Sequence, residues 1–156
     1  MISSMRRYRA SRSFYEDYGG SVLGVQQVPQ SQVSRYGIVA PRQVKPNVWQ
    51  AIDLVEKPEA EKAPSRLAVL GRYVLTPAIF DILEHTKPGA GEEIQLTDAI
   101  CELARKEKVY AYRFEGRRYD IGDKEGFLEA TVEQALKRPE IRDDFMAYLV
   151  QRIGPL

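Results

Sequence analysis

Four stretches carry residue types that chemistry needs. Glu56-Lys57-Pro58 sets a carboxylate beside an ammonium where an apolar run ends. A carboxylate accepts hydrogen bonds from sugar hydroxyls and an ammonium neutralises a phosphate, so the pair suits a sugar phosphate. The competing reading is a surface ion pair at a strand end. Tyr119-Asp120-Ile121-Gly122-Asp123 is the second stretch. A strand-end aspartate suits Mg²⁺, which takes oxygen ligands and usually one or two protein carboxylates. Asp123 reads as a helix cap, which leaves Asp120 without an evident structural duty. The third is Gly89 to Asp98, where two glycines before a helix can admit an anion to its N-terminus. Glu92 and Glu93 would repel a phosphate there, so a capped loop with acidic residues favouring the helix dipole is preferred. Gly37 and Gly71 complete the set, each inside an apolar run, where glycine marks either a bulge or a ligand's close approach.

Other chemistry is excluded or unsupported. One cysteine, Cys101, allows neither an internal disulfide nor a cysteine-rich zinc site, and it reads as a buried structural thiol. One histidine, His85, placed near a helix end, leaves no triad for nucleophilic catalysis.

The elements that must position these residues follow from periodicity. Val22–Val28 is an apolar run ended by Pro29, a strand buried on both faces. Tyr36–Ala40 is a short strand, Pro41–Asn47 a turn, and Val48–Val55 the returning strand, closed before Pro58. Leu67–Leu75 is the strongest strand. Thr76-Pro77 opens a helix with the hydroxyl as cap, and Thr97 caps another that ends at Arg105–Lys108. Val109–Phe114 alternates as a strand. Asp123 caps Lys124–Lys137, and an amphipathic helix runs from Ile141 to Ile153 after Pro139. Strands alternating with helices predict an α/β domain with a mixed sheet, without an obvious interdomain linker.

Composition narrows the class further. The 156 residues suit one core, and 44% apolar with 29% charged residues argues against disorder. Lys+Arg 23 against Asp+Glu 22 leaves +1, too balanced for coating nucleic acid. No run reaches the ~20 apolar residues of a membrane helix. Met1–Ser13 carries four arginines and no apolar core after them, so a solvated basic tail is expected rather than a secretory signal. A soluble, cytoplasmic protein with no membrane partner is expected.

Ser34-Arg35-Tyr36-Gly37-Ile38-Val39, Leu54-Val55-Glu56-Lys57-Pro58, Ala63-Pro64-Ser65 and Leu67 to Leu75 form an ordered series. Pro88-Gly89-Ala90-Gly91-Glu92-Glu93-Ile94-Gln95-Leu96-Thr97-Asp98-Ala99-Ile100 and Arg118-Tyr119-Asp120-Ile121-Gly122-Asp123-Lys124 continue it. The series resembles bacterial UTP–glucose-1-phosphate uridylyltransferases of the sugar nucleotidyltransferase family, over about Gly20 to Leu149. Val-Glu-Lys-Pro is shared across the family, whereas the Gly89–Ala99 block points to the glucose and UTP branch. The resemblance implies the C-terminal part of a Rossmann-like nucleotidyltransferase fold, with a mixed sheet flanked by helices. The implied division is a basic N-terminal segment, 1–19, and a sugar-phosphate-binding part, 20–156.

The implied reaction joins UTP and glucose 1-phosphate into UDP-glucose with release of pyrophosphate, around Mg²⁺. By position, Glu56 would bind glucose hydroxyls and Lys57 the phosphate. Gly37, Val69 and Gly71 would offer backbone to the sugar, with Tyr73 nearby. Asp120 would be one of two aspartates holding Mg²⁺, and Lys57 and Asp120 are the residues expected to take part in catalysis. Glu93 and Asp98 would shape the pocket or an oligomer contact. The family's Gly-x-Gly-Thr-Arg phosphate loop, its Leu-Pro-Asp-Asp metal motif and its uracil-reading residues do not occur in these 156 residues. The chain is therefore expected to have little or no uridylyltransferase activity alone, most of the UTP site being absent, and to carry uncovered sheet edges. Two further expectations stand beside it: a non-catalytic sugar-phosphate-binding or oligomerising module, and one half of a split enzyme whose partner supplies the glycine-rich loop.

Overall fold

Ser21 to Val25 are buried at every position, as a strand covered on both faces must be. This strand, β1 (Ser21–Gln27), lies between two others: β4 (Leu67–Val74) antiparallel and β5 (Val109–Arg113) parallel. The structure is a computed structural model that describes residues 15–89 and 92–154. The basic stretch up to Phe14, and Ala90 and Gly91, lie outside the described residues. Two compact units are present, one ending at Phe114 and the other beginning at Glu115, a division inside the span 20–156.

In the first unit, β2 (Gly37–Lys45) and β3 (Val48–Glu56) form an antiparallel hairpin. β3 pairs antiparallel with β5, and β2 meets β4 at Ile38 opposite Ala68. The order β1-β4-β2-β3-β5 closes on itself. The mixed sheet is as expected, but its edges are not uncovered: closure gives each strand two neighbours. The helices α1 (Ala78–His85) and α2 (Leu96–Lys106) bury Ile79, Ile82, Ala99, Ile100 and Leu103 in one core with Leu23, Val25, Val39 and Val69. At ~25 cal/mol per Å² of apolar surface, each of the Val, Leu and Ile side chains contributes ~1.5–3 kcal/mol.

Three local expectations are corrected. Pro41 lies inside β2 rather than in a turn, because the register shifts between Ala40 and Pro41 and an irregular position tolerates a missing N–H. The turn shrinks to Pro46-Asn47, with Asn47 at φ 62°. Thr76 does not cap α1: its Oγ1 donates to Glu107 Oε1 at 2.7 Å, while its N–H donates to Ser21 Oγ at 3.0 Å. Thr97 does not cap α2 either, since Gln95 holds that position without a side-chain bond. In each case the hydroxyl reaches a carboxylate far away in sequence, a charge-assisted bond roughly twice as strong as a neutral one.

The second unit carries α3 (Lys124–Leu136) and α4 (Pro139–Ile153). Asp123 caps α3 as expected, its side chain accepting from Gly126 N–H at 3.2 Å. Pro139 opens α4 instead of merely preceding it, since proline's fixed φ suits the first turn. Neither helix fully buries a residue, the amphipathic last helix included. Among the described residues, no helix is long and apolar enough to cross a membrane.

Candidate functional site

Glu56 is the last residue of β3, and Gly37 is its partner at the start of β2. A strand end is where a side chain can leave the ladder and face a ligand. Glu56 Oε2 accepts a 2.6 Å hydrogen bond from Thr97 Oγ1 in the first turn of α2. The carboxylate is thus held, yet its side chain remains 23% exposed. Lys57 Nζ stands 3.9 Å from Glu56 Oε1, with 63% of its side chain exposed. The ammonium is loosely paired and available to an anion.

The backbone at this point is strained. Lys57 has φ 44°, in the left-handed region that costs an L-residue ~1–2 kcal/mol, and its N–H donates to Tyr36 O at 3.1 Å. Non-glycine residues hold such angles where surrounding structure over-determines them, commonly at ligand sites. Gly37 has a packing reason for lacking a side chain. An added Cβ would stand 3.0 Å from Glu56 Oε2 and 3.1 Å from Thr97 Oγ1.

The remaining predicted residues divide between β4 and the second unit. Burial, and after it the Glu56 charge, pushes the Tyr73 phenol above its usual 10.0, so it stays a hydrogen-bond donor at neutral pH. Val69 faces Val25 and sits in the core. Gly71, at φ 66°, occupies the irregularity between β1 and β4, with open space where its Cβ would point. Glu56 is thus the common neighbour: Gly37 packs against it, Lys57 pairs loosely with it, and its charge reaches Tyr73. Asp98 fills the space beside Gly89, where an added Cβ would lie 2.9 Å from Asp98 Oδ2, so that glycine has a packing role.

Asp120 belongs to the second unit. Its Oδ2 lies 3.2 Å from Arg118 Nη2. Arg117 and Tyr119 instead pair with α3. The Tyr119 hydroxyl donates to Glu133, Arg117 pairs with Glu129 and Glu133, and Lys137 Nζ donates to the Tyr119 oxygen at 3.2 Å. The Tyr119 bond, more than the nearby cations, lowers the Glu133 carboxyl below its usual 4.5. Gly126 lets the helix meet the Asp120 carbonyl, which a Cβ would strike. Asp120 would offer Mg²⁺ one carboxylate, which here pairs with Arg118, and among the described residues no group of three His, Cys, Asp or Glu side chains gathers to hold an ion.

Cys101 departs from its expected burial. It is partly exposed, and its Sγ donates to Asp53 Oδ1 at 2.7 Å; burial first and that bond second raise the thiol above its ordinary 9.0. His85 Nδ1 lies 2.8 Å from the Asp81 carbonyl of its own helix. Sequence reasoning missed Thr97, for which cap chemistry offered a sufficient local account. It also missed Arg118, whose pairing with Asp120 gave no local signal.

A family model described as nucleotidyl transferase matches residues 3–136. The chain belongs to the nucleotidyl transferase family. A UTP–glucose-1-phosphate uridylyltransferase of Staphylococcus epidermidis strain RP62A is 53% identical over 137 residues, covering 88% of this chain and 48% of that protein. A solved UDP-glucose pyrophosphorylase complexed with UDP-glucose superposes with TM-score 0.77 at 45% identity, covering 81% of this chain and 48% of the other. The UTP-bound enzyme of Acinetobacter baumannii gives TM-score 0.79 at 37% identity, over 90% and 48%. This nucleotidyl transferase chain thus spans about half the length of the relatives it matches.

Proposed function

We propose that this chain forms the sugar-phosphate-binding half of a UTP–glucose-1-phosphate uridylyltransferase. The observation that carries the reading is the Glu56 carboxylate, anchored by Thr97 and set beside the Lys57 ammonium at one strand end. In this reading Glu56 accepts hydrogen bonds from glucose hydroxyls, and Lys57 neutralises the phosphate of glucose 1-phosphate. Gly71 leaves room for the sugar, Gly37 and Val69 offer backbone to it, and the protonated Tyr73 is a donor nearby. The phosphate oxygen of the sugar would attack the α-phosphate of UTP in line, with pyrophosphate leaving; catalysis is mainly positioning and charge neutralisation. Lys57 contributes here by fixing the attacking phosphate.

Asp120 is the one carboxylate this reading offers to Mg²⁺, and the remaining ligands have to come from outside the described residues. The phosphate loop and the base pocket for UTP fall to a polypeptide equivalent to the relatives' other half, and a second copy of this chain is an oligomer partner to test. The cytoplasm is the proposed setting, in keeping with a lone free thiol.

Calorimetric titration of the 156-residue chain with glucose 1-phosphate tests the reading. Binding is expected, and Lys57→Ala should abolish it. Equal binding by that variant removes Lys57 from the site, and absence of binding by the unaltered chain overturns the reading. A coupled pyrophosphate-release assay is expected to show little or no turnover from the chain alone. Turnover comparable to that of a full-length relative would show that the chain needs no partner half.

A further inference from the structure

The Gly89–Asp98 block of sequence is assigned to the glucose branch, yet its acidic residues offer nothing to an anion. The structure supplies a reason through Thr97. Its side chain does not cap α2 but reaches Glu56, 41 residues away, with a 2.6 Å hydrogen bond to Oε2. A threonine hydroxyl has one proton, so donating it to Glu56 fixes both groups. Oε1 is left for a ligand, 3.9 Å from Lys57 Nζ.

Two neighbours bear on the same carboxylate. Gly37 brings the β2 backbone against the Thr97–Glu56 pair, with no room there for a Cβ without displacement. Lys57 is adjacent in sequence and largely exposed, and its ammonium competes for the carboxylate. Without the Thr97 bond, Glu56 is free to turn toward Lys57. The two groups would then neutralise each other instead of taking a sugar hydroxyl and a phosphate separately.

We propose that Thr97 is a positioning residue that keeps the loose 3.9 Å contact between Glu56 and Lys57 from closing into a tight ion pair, and so sets sugar recognition at this site. The proposal rests on the sugar-phosphate reading above. It predicts a separation of two affinities: Thr97 governs how much the glucose ring adds to binding, while Lys57 governs binding of the phosphate itself.

The test compares glucose 1-phosphate with methyl phosphate, which carries the phosphate but no sugar hydroxyls, by calorimetry on the 156-residue chain. The unaltered chain is expected to prefer glucose 1-phosphate. Thr97→Val, which keeps the shape and removes the hydroxyl, should reduce that preference roughly tenfold, the scale of one charge-assisted hydrogen bond. Thr97→Ser should restore most of it. In a Glu56→Gln background, Thr97→Val should add little further loss, because the two residues act as one unit. That comparison, together with Thr97→Ser, decides the matter if Thr97→Val alone folds poorly. A Thr97→Val chain that melts earlier but keeps its full preference overturns the proposal and leaves the sugar-phosphate reading standing. An unaltered chain that binds neither probe overturns both.

Discussion

Thr97 Oγ1 and Glu56 Oε2 are joined by a 2.6 Å hydrogen bond, and the backbone of Gly37 lies against both. Gly37→Ala would place a methyl 3.0 Å from the carboxylate and 3.1 Å from the hydroxyl, tighter than ordinary contact, so one of the two must move. Calorimetry should show a loss of about tenfold in glucose 1-phosphate affinity, of the order of one charged hydrogen bond, with methyl phosphate affected less. Equal losses for both probes would show a general disturbance of the strand end.

Lys57 combines a proposed function with a strained backbone. Lys57→Gly removes the cost of φ 44° but adds chain entropy to the unfolded state, for a net gain of about 0.5–1 kcal/mol. The variant should unfold at higher urea than the unaltered chain while binding no glucose 1-phosphate. Lys57→Ala, which keeps the strain, should lose binding without that gain. If both variants are equally stable, the left-handed angle costs no more than the chain entropy that glycine adds.

Gly126 sets two effects against each other. Helix propensity alone favours Gly126→Ala by up to ~1 kcal/mol. The new Cβ, however, would strike the Asp120 carbonyl, a backbone atom that cannot rotate away. Overpacking of this kind costs ~1–3 kcal/mol, so net destabilisation is expected in urea unfolding, with faster amide exchange at 120–123. A stabilised variant would mean that the turn relaxes freely.

Tyr119 and Glu133 give the second unit an acid-sensitive joint. The folded state lowers the Glu133 carboxyl below 4.5, so its contribution is present above that pH and is lost as the pH falls through the lowered value. Tyr119→Phe removes the largest cause. Carboxyl carbon NMR should then show Glu133 titrating closer to 4.5, and the lysine Cε signal should show Lys137, raised by the same hydroxyl, closer to 10.5. An unmoved Glu133 titration would assign its shift to the cations instead.

Much of the scaffold was legible locally. The continuous apolar run of Val22–Val25 and the cap at Asp123 each depend on neighbours within a few residues, where periodicity and capping chemistry act. Pro41 was misread because proline signals a turn unless the strand is irregular, and the irregularity is a property of the pairing with β3. The hydroxyls of Thr76 and Thr97 were misread for a related reason. Cap geometry competes with a carboxylate, and the carboxylate's presence is not a local fact.

By itself the sequence determined the residue types available for chemistry, Glu56, Lys57, Gly37 and Asp120, together with the α/β class and a strong family resemblance. Tertiary structure decided which of them meet. Closure of the sheet paired every edge, α2 carried Thr97 to Glu56, and Arg118 was brought against Asp120. Local propensities act over one or two turns of chain, whereas a carboxylate's partner is set by which elements pack together, a choice made by the whole core.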